Sequence, residues 1–225
     1  MPTKRKHTRY GFFHRNGLSV VFGLLTLVAV VFHALAGHRV ENSDRIERGQ
    51  APLAMPQYLL SGQFQSTLFE NWESEFLQMA LFVVLTVKLR QLGSSESRPM
   101  DPAEEKHKKF PAAEQPWPVR RGGAWLKLYE HSLSLSLFTL FAVSFVAHGI
   151  GSWRHEAEQL QAKGSQAPGL LEHLGSAQFW FESMQNWQSE FLSVLAIVIL
   201  SIYLREKDSS QSKQVDAPHT ETGSG

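Results

Sequence analysis

The sequence has 225 residues, with 22 Lys and Arg against 21 Asp and Glu, a formal net charge of +1 and no cysteine. Near-neutrality excludes a strongly basic nucleic-acid binder in the overall sense, and the missing cysteine excludes disulfides, zinc–thiolate sites, iron–sulfur clusters and thiol nucleophiles. A mean hydropathy of −0.21 looks soluble, but it averages very polar connectors with very apolar segments.

In chain order, residues 1–14 form a basic start with Lys4, Arg5, Lys6 and Arg9. Gly17 to Ala36 follows, an apolar run whose one ionisable group is His33. Phe76 to Leu89 is a second apolar run, Ser132 to Ile150 a third, and Phe191 to Leu204 a fourth. Crossing a ~30 Å hydrocarbon core takes roughly 20 helical residues. The first and third runs meet this alone. The second and fourth meet it when extended back to Trp72 and Trp187, which places Glu75 and Glu190 one turn inside. Leu and Ser alternate at 132–137 as in a strand, but an isolated strand leaves its backbone unpaired in lipid, so helix is expected. The basic start and Ala34-Leu35-Ala36 resemble a cleaved signal. The first run is longer than a signal's apolar core, however, and has a copy later in the chain, so it is read as a retained span.

That copy belongs to a repeat. Ser61, Gln63 and Phe64 return at Ser176, Gln178 and Phe179. Asn71-Trp72 and Ser74-Glu75-Phe76-Leu77 return at Asn186-Trp187 and Ser189-Glu190-Phe191-Leu192. His33 returns as His148, Arg39 as Arg154, and Leu89-Arg90 as Leu204-Arg205. With one offset of 115 and no gap, residues 15–97 give 26 identities in 83 pairs. Self-similarity of this kind implies a tandem duplication of a two-span unit. Two spans return the chain to its starting side, so both copies share one orientation about an axis along the membrane normal. The expected fold is all-α: a four-transmembrane-helix bundle of two parallel two-helix repeats, residues 15–92 and 125–205. A flexible linker (93–124) joins them and a disordered polar tail (206–225) follows.

Basic residues set the orientation. Five precede the first span, nine lie from Lys88 to Lys127 and three follow the fourth span, against three and two in the other loops. Both termini and the linker are therefore expected in the cytoplasm. Trp72, Trp153, Trp180 and Trp187 would sit at the outer interface, with Trp125 and Tyr10 at the inner one.

Ser61 is the expected N-cap of one helix over 62–90, with Phe64, Leu68, Trp72 and Phe76 as its apolar stripe. Glu70 and Glu73 become Gln185 and Gln188 in the second copy, so Glu75 and Glu190 alone persist as acids within the motif. A carboxylate near the rim costs less than the ~2.5–3.5 kcal/mol of mid-bilayer insertion, yet it wants a partner. His33 and His148 lie at matching depth, on small and polar faces suited to helix contact in lipid. The candidate polar cluster is thus His33, Glu75, His148 and Glu190, flanked by an outer-interface motif of Asn71, Trp72, Ser74, Asn186, Trp187 and Ser189. The simplest reading is packing, each Glu bonding a His, Trp or backbone amide. The alternatives are a metal site with imidazole and carboxylate ligands, a proton or ion path, and haem held between His33 and His148. Arg39 and Arg154 read as rim anchors or partners of Glu41 and Glu156.

The stretch Ser61-Gly-Gln-Phe64 followed by Phe69-Glu-Asn-Trp-Glu-Ser-Glu-Phe-Leu-Gln78 resembles an uncharacterised family of small bacterial integral membrane proteins. The likeness covers most of residues 10–95 and 125–205. It implies four spans and a bacterial cytoplasmic-membrane location, and it brings no catalytic or binding residue with it.

The function expected is that of a non-enzymatic membrane protein with a structural or interaction role, its partners being the bilayer and a second copy or another membrane protein. The alternative is a small transporter or ion-binding protein using the His/Glu cluster. No HExxH, GxSxG or phosphate-binding loop is present, and no cofactor is expected. Reporter fusions test the orientation: one near Ala113 should report the cytoplasm and one near Gln50 the outside, and the reverse pattern would overturn it.

Overall fold

The computed structural model describes residues 11–101 and 110–223. Lys4, Arg5, Lys6, Arg9 and Tyr10, together with Lys106, Lys108 and Lys109 of the linker, lie outside the described residues. The described residues are helical, with no strand. The helices are α1 (Phe12–Glu47), α2 (Met55–Leu59), α3 (Gly62–Lys88), α4 (Trp117–Arg121), α5 (Gly123–Glu130), α6 (Ser132–Ala162), α7 (Leu170–Leu174) and α8 (Ala177–Tyr203), with a 3-10 turn at Ala112–Glu114. The alternating Leu and Ser of 132–137 are helical, as the backbone's need for internal partners demands. The helices α7 and α8 begin and end 115 residues after α2 and α3, and α6 ends 115 residues after α1.

The chain divides into two compact units between Phe64 and Gln65, within α3. In the first unit, α1 runs for 36 residues and the chain then folds back onto it. Asn42 fixes that return, accepting from the Leu53 amide at 2.7 Å and donating to the Leu53 carbonyl at 3.0 Å. His38 donates to the same carbonyl at 2.7 Å. The Tyr58 ring lies 5.5 Å from His38 and 5.4 Å from Phe64. A Cβ at Gly37 would stand 2.1 Å from the Tyr58 hydroxyl, so only glycine leaves room for the phenol. Burial, and then the nearby Glu41 carboxylate, push that phenol above its ordinary range. Ser61 accepts from the Phe64 amide at 3.2 Å, capping α3 as its sequence position requires.

The second unit packs the rest of α3 with α6, α7 and α8. Ser176 caps α8 as Ser61 caps α3, accepting from the Phe179 amide at 3.2 Å. A Cβ at Gly151 would approach the Ser66 amide nitrogen to 2.6 Å, so α6 crosses α3 backbone against backbone there. Small residues permit such close crossings in lipid. Arg154, one turn on, donates to Gln65 Oε1 at 3.1 Å.

Burial runs opposite to that of a water-soluble globule. Among the described residues the buried hydrophobic ones are Tyr58, Phe64, Leu77, Ala80, Ala157 and Phe179, whereas the buried polar ones are two glutamates, two histidines, a lysine and nine serines. Large apolar side chains point outward along the long helices: Leu18 is 76% exposed and Leu192 64%. So much exposed apolar surface is consistent with a membrane protein. Among the described residues α1, α6 and α8 are long and apolar enough to cross a membrane. The helix α3 has the same 27 residues as α8, but with Glu70, Glu73, Glu75 and Lys88 it is not one of them.

The ends of α3 and α8 close in the same way. Arg90 turns back to donate to the Thr86, Val87 and Leu89 carbonyls, and Arg205 to those of Ser201, Ile202 and Leu204, all within 3.3 Å. These are carbonyls that a helix end otherwise leaves unpaired. Residues 206–223, expected to be disordered, instead fold against the start of the expected linker. Gly93 donates to Thr222 Oγ1 at 3.0 Å, Gly223 to the Ser94 carbonyl at 2.9 Å, and Ser95 Oγ to the Gln211 carbonyl at 2.9 Å. Gly93 has φ +83, and a Cβ there would meet the His219 carbonyl oxygen at 2.2 Å. The physical reason for the order is Lys213, 2% exposed, whose ammonium donates to the carbonyls of Glu221 (2.9 Å), His219 (3.1 Å), Pro218 (3.4 Å) and Ile202 (3.5 Å). A polar segment thus orders around one buried cation. Lys213→Met keeps the stem and removes the donor, leaving buried carbonyls that each cost about 1–3 kcal/mol unpaired. The expected result is faster tryptic cleavage at Lys207 with helix content unchanged; an unaltered cleavage rate would show that the lysine does not hold the tail.

Candidate functional site

The second unit contains a chain of hydrogen-bonding side chains. It starts at Glu73 on α3, which is 0% exposed. A carboxylate so placed is costly unless paired and hydrogen-bonded. Glu73 Oε2 accepts from His148 Nδ1 of α6 at 3.0 Å. Its Oε1 accepts from Ser183 Oγ at 3.0 Å and Trp187 Nε1 at 3.1 Å, both on α8. Three donors from two helices therefore converge on one acid.

His148 is also 0% exposed, with its ring 5.0 Å from that of Phe179. Its Nε2 makes no hydrogen bond and lies 3.6 Å from Glu182 Oε2 on α8. The same Glu182 oxygen accepts from Ser152 Oγ at 2.9 Å, and Glu182 Oε1 accepts from Gln178 at 2.8 Å. Ser152 Oγ in turn lies 3.0 Å from His173 Nε2 on α7, and His173 Nδ1 lies 2.5 Å from Glu156 Oε2 on α6. Beside this run, Asn186 Nδ2 donates to Glu70 Oε1. Along the chain the side chains of Glu73 and His148 are 0% exposed and that of Glu182 25%; Ser152 and His173 are buried, and the Glu156 side chain is 35% exposed.

Counting hydrogens shows what this arrangement holds. A serine hydroxyl has one proton and an ionised carboxylate only accepts. With the Ser152 proton directed to Glu182, His173 Nε2 must donate to Ser152 Oγ. The short Glu156–His173 contact then needs a proton of its own, on Nδ1 or on the carboxyl. Likewise His148 gives its Nδ1 proton to Glu73, so its Nε2 faces a carboxylate oxygen across 3.6 Å. Two lone pairs would repel there, and one proton between them removes the conflict. The network therefore has places for two protons beyond the count of ionised carboxylates and neutral imidazoles.

The residues singled out in the sequence are distributed as follows. His148 is at the centre, but its acid partner is Glu73 rather than Glu75 or Glu190. Glu75 is exposed and Glu190 half-buried, and their side chains interact with each other. His33 belongs to the first unit, its ring centre 5.6 Å from that of Phe64 in an edge-to-face arrangement. Of the motif residues, Asn186 and Trp187 reach across to Glu70 and Glu73. Asn71 donates to Thr67 within its own helix, Ser74 Oγ to the Asn71 carbonyl and Ser189 Oγ to the Asn186 carbonyl. Trp72 is 38% exposed, its ring centre 5.4 Å from that of Phe69 in an edge-to-face arrangement. Sequence reasoning missed Glu73, Glu182, Ser152 and His173. Glu73 was set aside because position 188 carries Gln, a filter that assumes both copies do the same chemistry. The i, i+4, i+8 spacing of His148, Ser152 and Glu156 places all three on one helix face and was the available signal. Among the described residues no group of three or more His, Asp or Glu is arranged to hold a metal ion.

A double-mutant cycle tests the centre. Breaking a buried pair on one side costs about 3–5 kcal/mol. Glu73→Gln and His148→Gln should each lower the thermal unfolding temperature in detergent. Their coupling should reach about 1 kcal/mol or more, whereas strictly additive effects would deny the interaction.

In comparison with known proteins, the chain belongs to the family described as Domain of unknown function (DUF6766), whose model matches residues 9–224. No curated protein and no solved structure matches it.

Proposed function

Since that family brings no activity with it, we propose from the geometry that this is a non-enzymatic multi-pass protein of the bacterial cytoplasmic membrane that binds and releases protons within its helices. Four spans in two like-facing hairpins, with both termini in the cytoplasm, are the arrangement that accommodates this reading. It is supported by the 115-residue offset of the helix bounds, by the equal lengths of α3 and α8 and by the distribution of Lys and Arg. The interaction of Glu75 with Glu190, positions related by the same offset, suits a pseudo-twofold axis between the hairpins. On this orientation the ends of α6 and α8 that carry Glu156 and Glu182 face the outer side. The bilayer is the first partner, and no cofactor is invoked.

The observation that carries the proposal is the buried His148 Nε2, without a hydrogen bond and facing Glu182 across 3.6 Å. Buried ionisable groups inside membrane proteins are costly, and where they persist in lipid they commonly mark ion or proton sites. A permanent ion pair needs no such gap. A site that exchanges protons does, because each state must be tolerated in turn. Infrared difference spectroscopy of the purified protein in detergent tests this. Stepping pH from the ordinary carboxylate range to above the ordinary imidazole range should reveal a carboxyl band that titrates together with a histidine band. Glu182→Gln should remove that coupled signal. Histidine and carboxyl bands that titrate independently in both proteins would overturn the proposal.

A second reading, packing alone, is favoured by the three donors on Glu73, which tie α3 to α6 and α8. It predicts loss of stability in Glu73→Gln with no coupled titration in the unaltered protein.

A further inference from the structure

The proton-binding reading leaves open how a proton reaches a centre in which Glu73 and His148 are sealed from solvent. We infer that Glu156, His173, Ser152 and Glu182 form a proton-loading path from the surface to His148 and Glu73, closed at its inner end. The inference rests on that reading and adds a route to it.

The geometry is continuous. From the 35%-exposed Glu156, successive contacts measure 2.5 Å to His173, 3.0 Å to Ser152, 2.9 Å to Glu182, 3.6 Å to His148 and 3.0 Å to Glu73. Four are hydrogen-bond lengths, and the 3.6 Å step is the one that must shorten for transfer. The alternation of groups is what passage requires. Each imidazole takes a proton on one nitrogen and releases another from the opposite nitrogen, and the serine hydroxyl does the same on one oxygen.

The transfers balance atom by atom. A proton arriving on Glu156 passes to His173 Nδ1. The proton on His173 Nε2 moves to Ser152 Oγ as the original Ser152 proton moves to Glu182 Oε2. Glu182 passes its proton to His148 Nε2, and the His148 Nδ1 proton goes to Glu73 Oε2. One proton enters, one is added at Glu73, and every intermediate group keeps its original number. Reversing the order unloads the site.

The inner end is closed because the other Glu73 oxygen is already occupied by Ser183 and Trp187. The remaining acid nearby, Glu70, is held by Asn186. Of the polar groups around the path, Arg154 points to Gln65, and Gln178 steadies the outer oxygen of Glu182. No basic side chain among these neighbours breaks the sequence of acceptors. The path therefore loads a site, and it does not leak protons across the membrane.

The experiment is a pH jump on the full-length protein in detergent, followed by time-resolved infrared spectroscopy at the coupled carboxyl and histidine bands. Ser152→Ala removes the hydroxyl relay, and Glu156→Gln, at a partly exposed position, removes the entry acid without risk to the core. Both should slow the approach of the coupled Glu182 and His148 bands to equilibrium by tenfold or more, and Ser152→Thr should restore the rate. Unchanged rates in both variants, with the coupled titration intact, would overturn the path and leave the binding site standing. Absence of the coupled titration in the unaltered protein would instead remove the binding site, and the path with it.

Discussion

Glu73 sets the terms on which the second unit assembles. A carboxylate with no solvent contact, on a helix surrounded by apolar sequence, must find its donors within the protein. It finds three: His148 from α6, and Ser183 and Trp187 from α8. The donors fix both the spacing and the rotation of three helices, because each must present one atom to one of two oxygens. Gly151 makes the approach possible, since any side chain there would meet the backbone of Ser66 before His148 could reach its acid.

The same constraint explains why the interior is polar and the exterior apolar. In water, burial of hydrocarbon drives helices together; in lipid that force between helices is absent, and close packing with polar contacts takes its place. Leucines and valines of α1, α6 and α8 accordingly stay outside, while serines, histidines and acids turn in. Lys213 applies the principle at the far end of α8. One buried ammonium collects four carbonyls and orders a segment whose composition alone suggests a free tail.

Positions related by the 115-residue offset differ in a complementary way. Gly37 and Tyr58 correspond to Ser152 and His173. In the first unit the phenol fills the space that a side chain at position 37 would need. In the second, a small hydroxyl on the helix meets an imidazole. Only the second combination continues a line of exchangeable protons, since the imidazole has two nitrogens to offer and the phenol a single oxygen. The chemistry has therefore gathered on one side of an arrangement whose helix bounds are alike. Selecting the acids present in both copies pointed to Glu75 and Glu190 and away from Glu73.

Some of this was determined by the sequence alone. Apolar run length, the spacing of 26 identities and the Ser61 and Ser176 caps depend on local periodicity and neighbouring residues, so they define helices, their limits and their likeness without tertiary information. His148 stood out because an imidazole in an apolar run is costly wherever it lies. Its partner was decided only by tertiary structure. Helix rotation determines whether Glu73 or Glu75 faces α6, and that rotation follows from the Gly151 crossing and from donors contributed 110 and 114 residues away in the chain. The joining of Glu182, His173 and Glu156 into one line likewise required three helices to meet, which no spacing along the chain encodes.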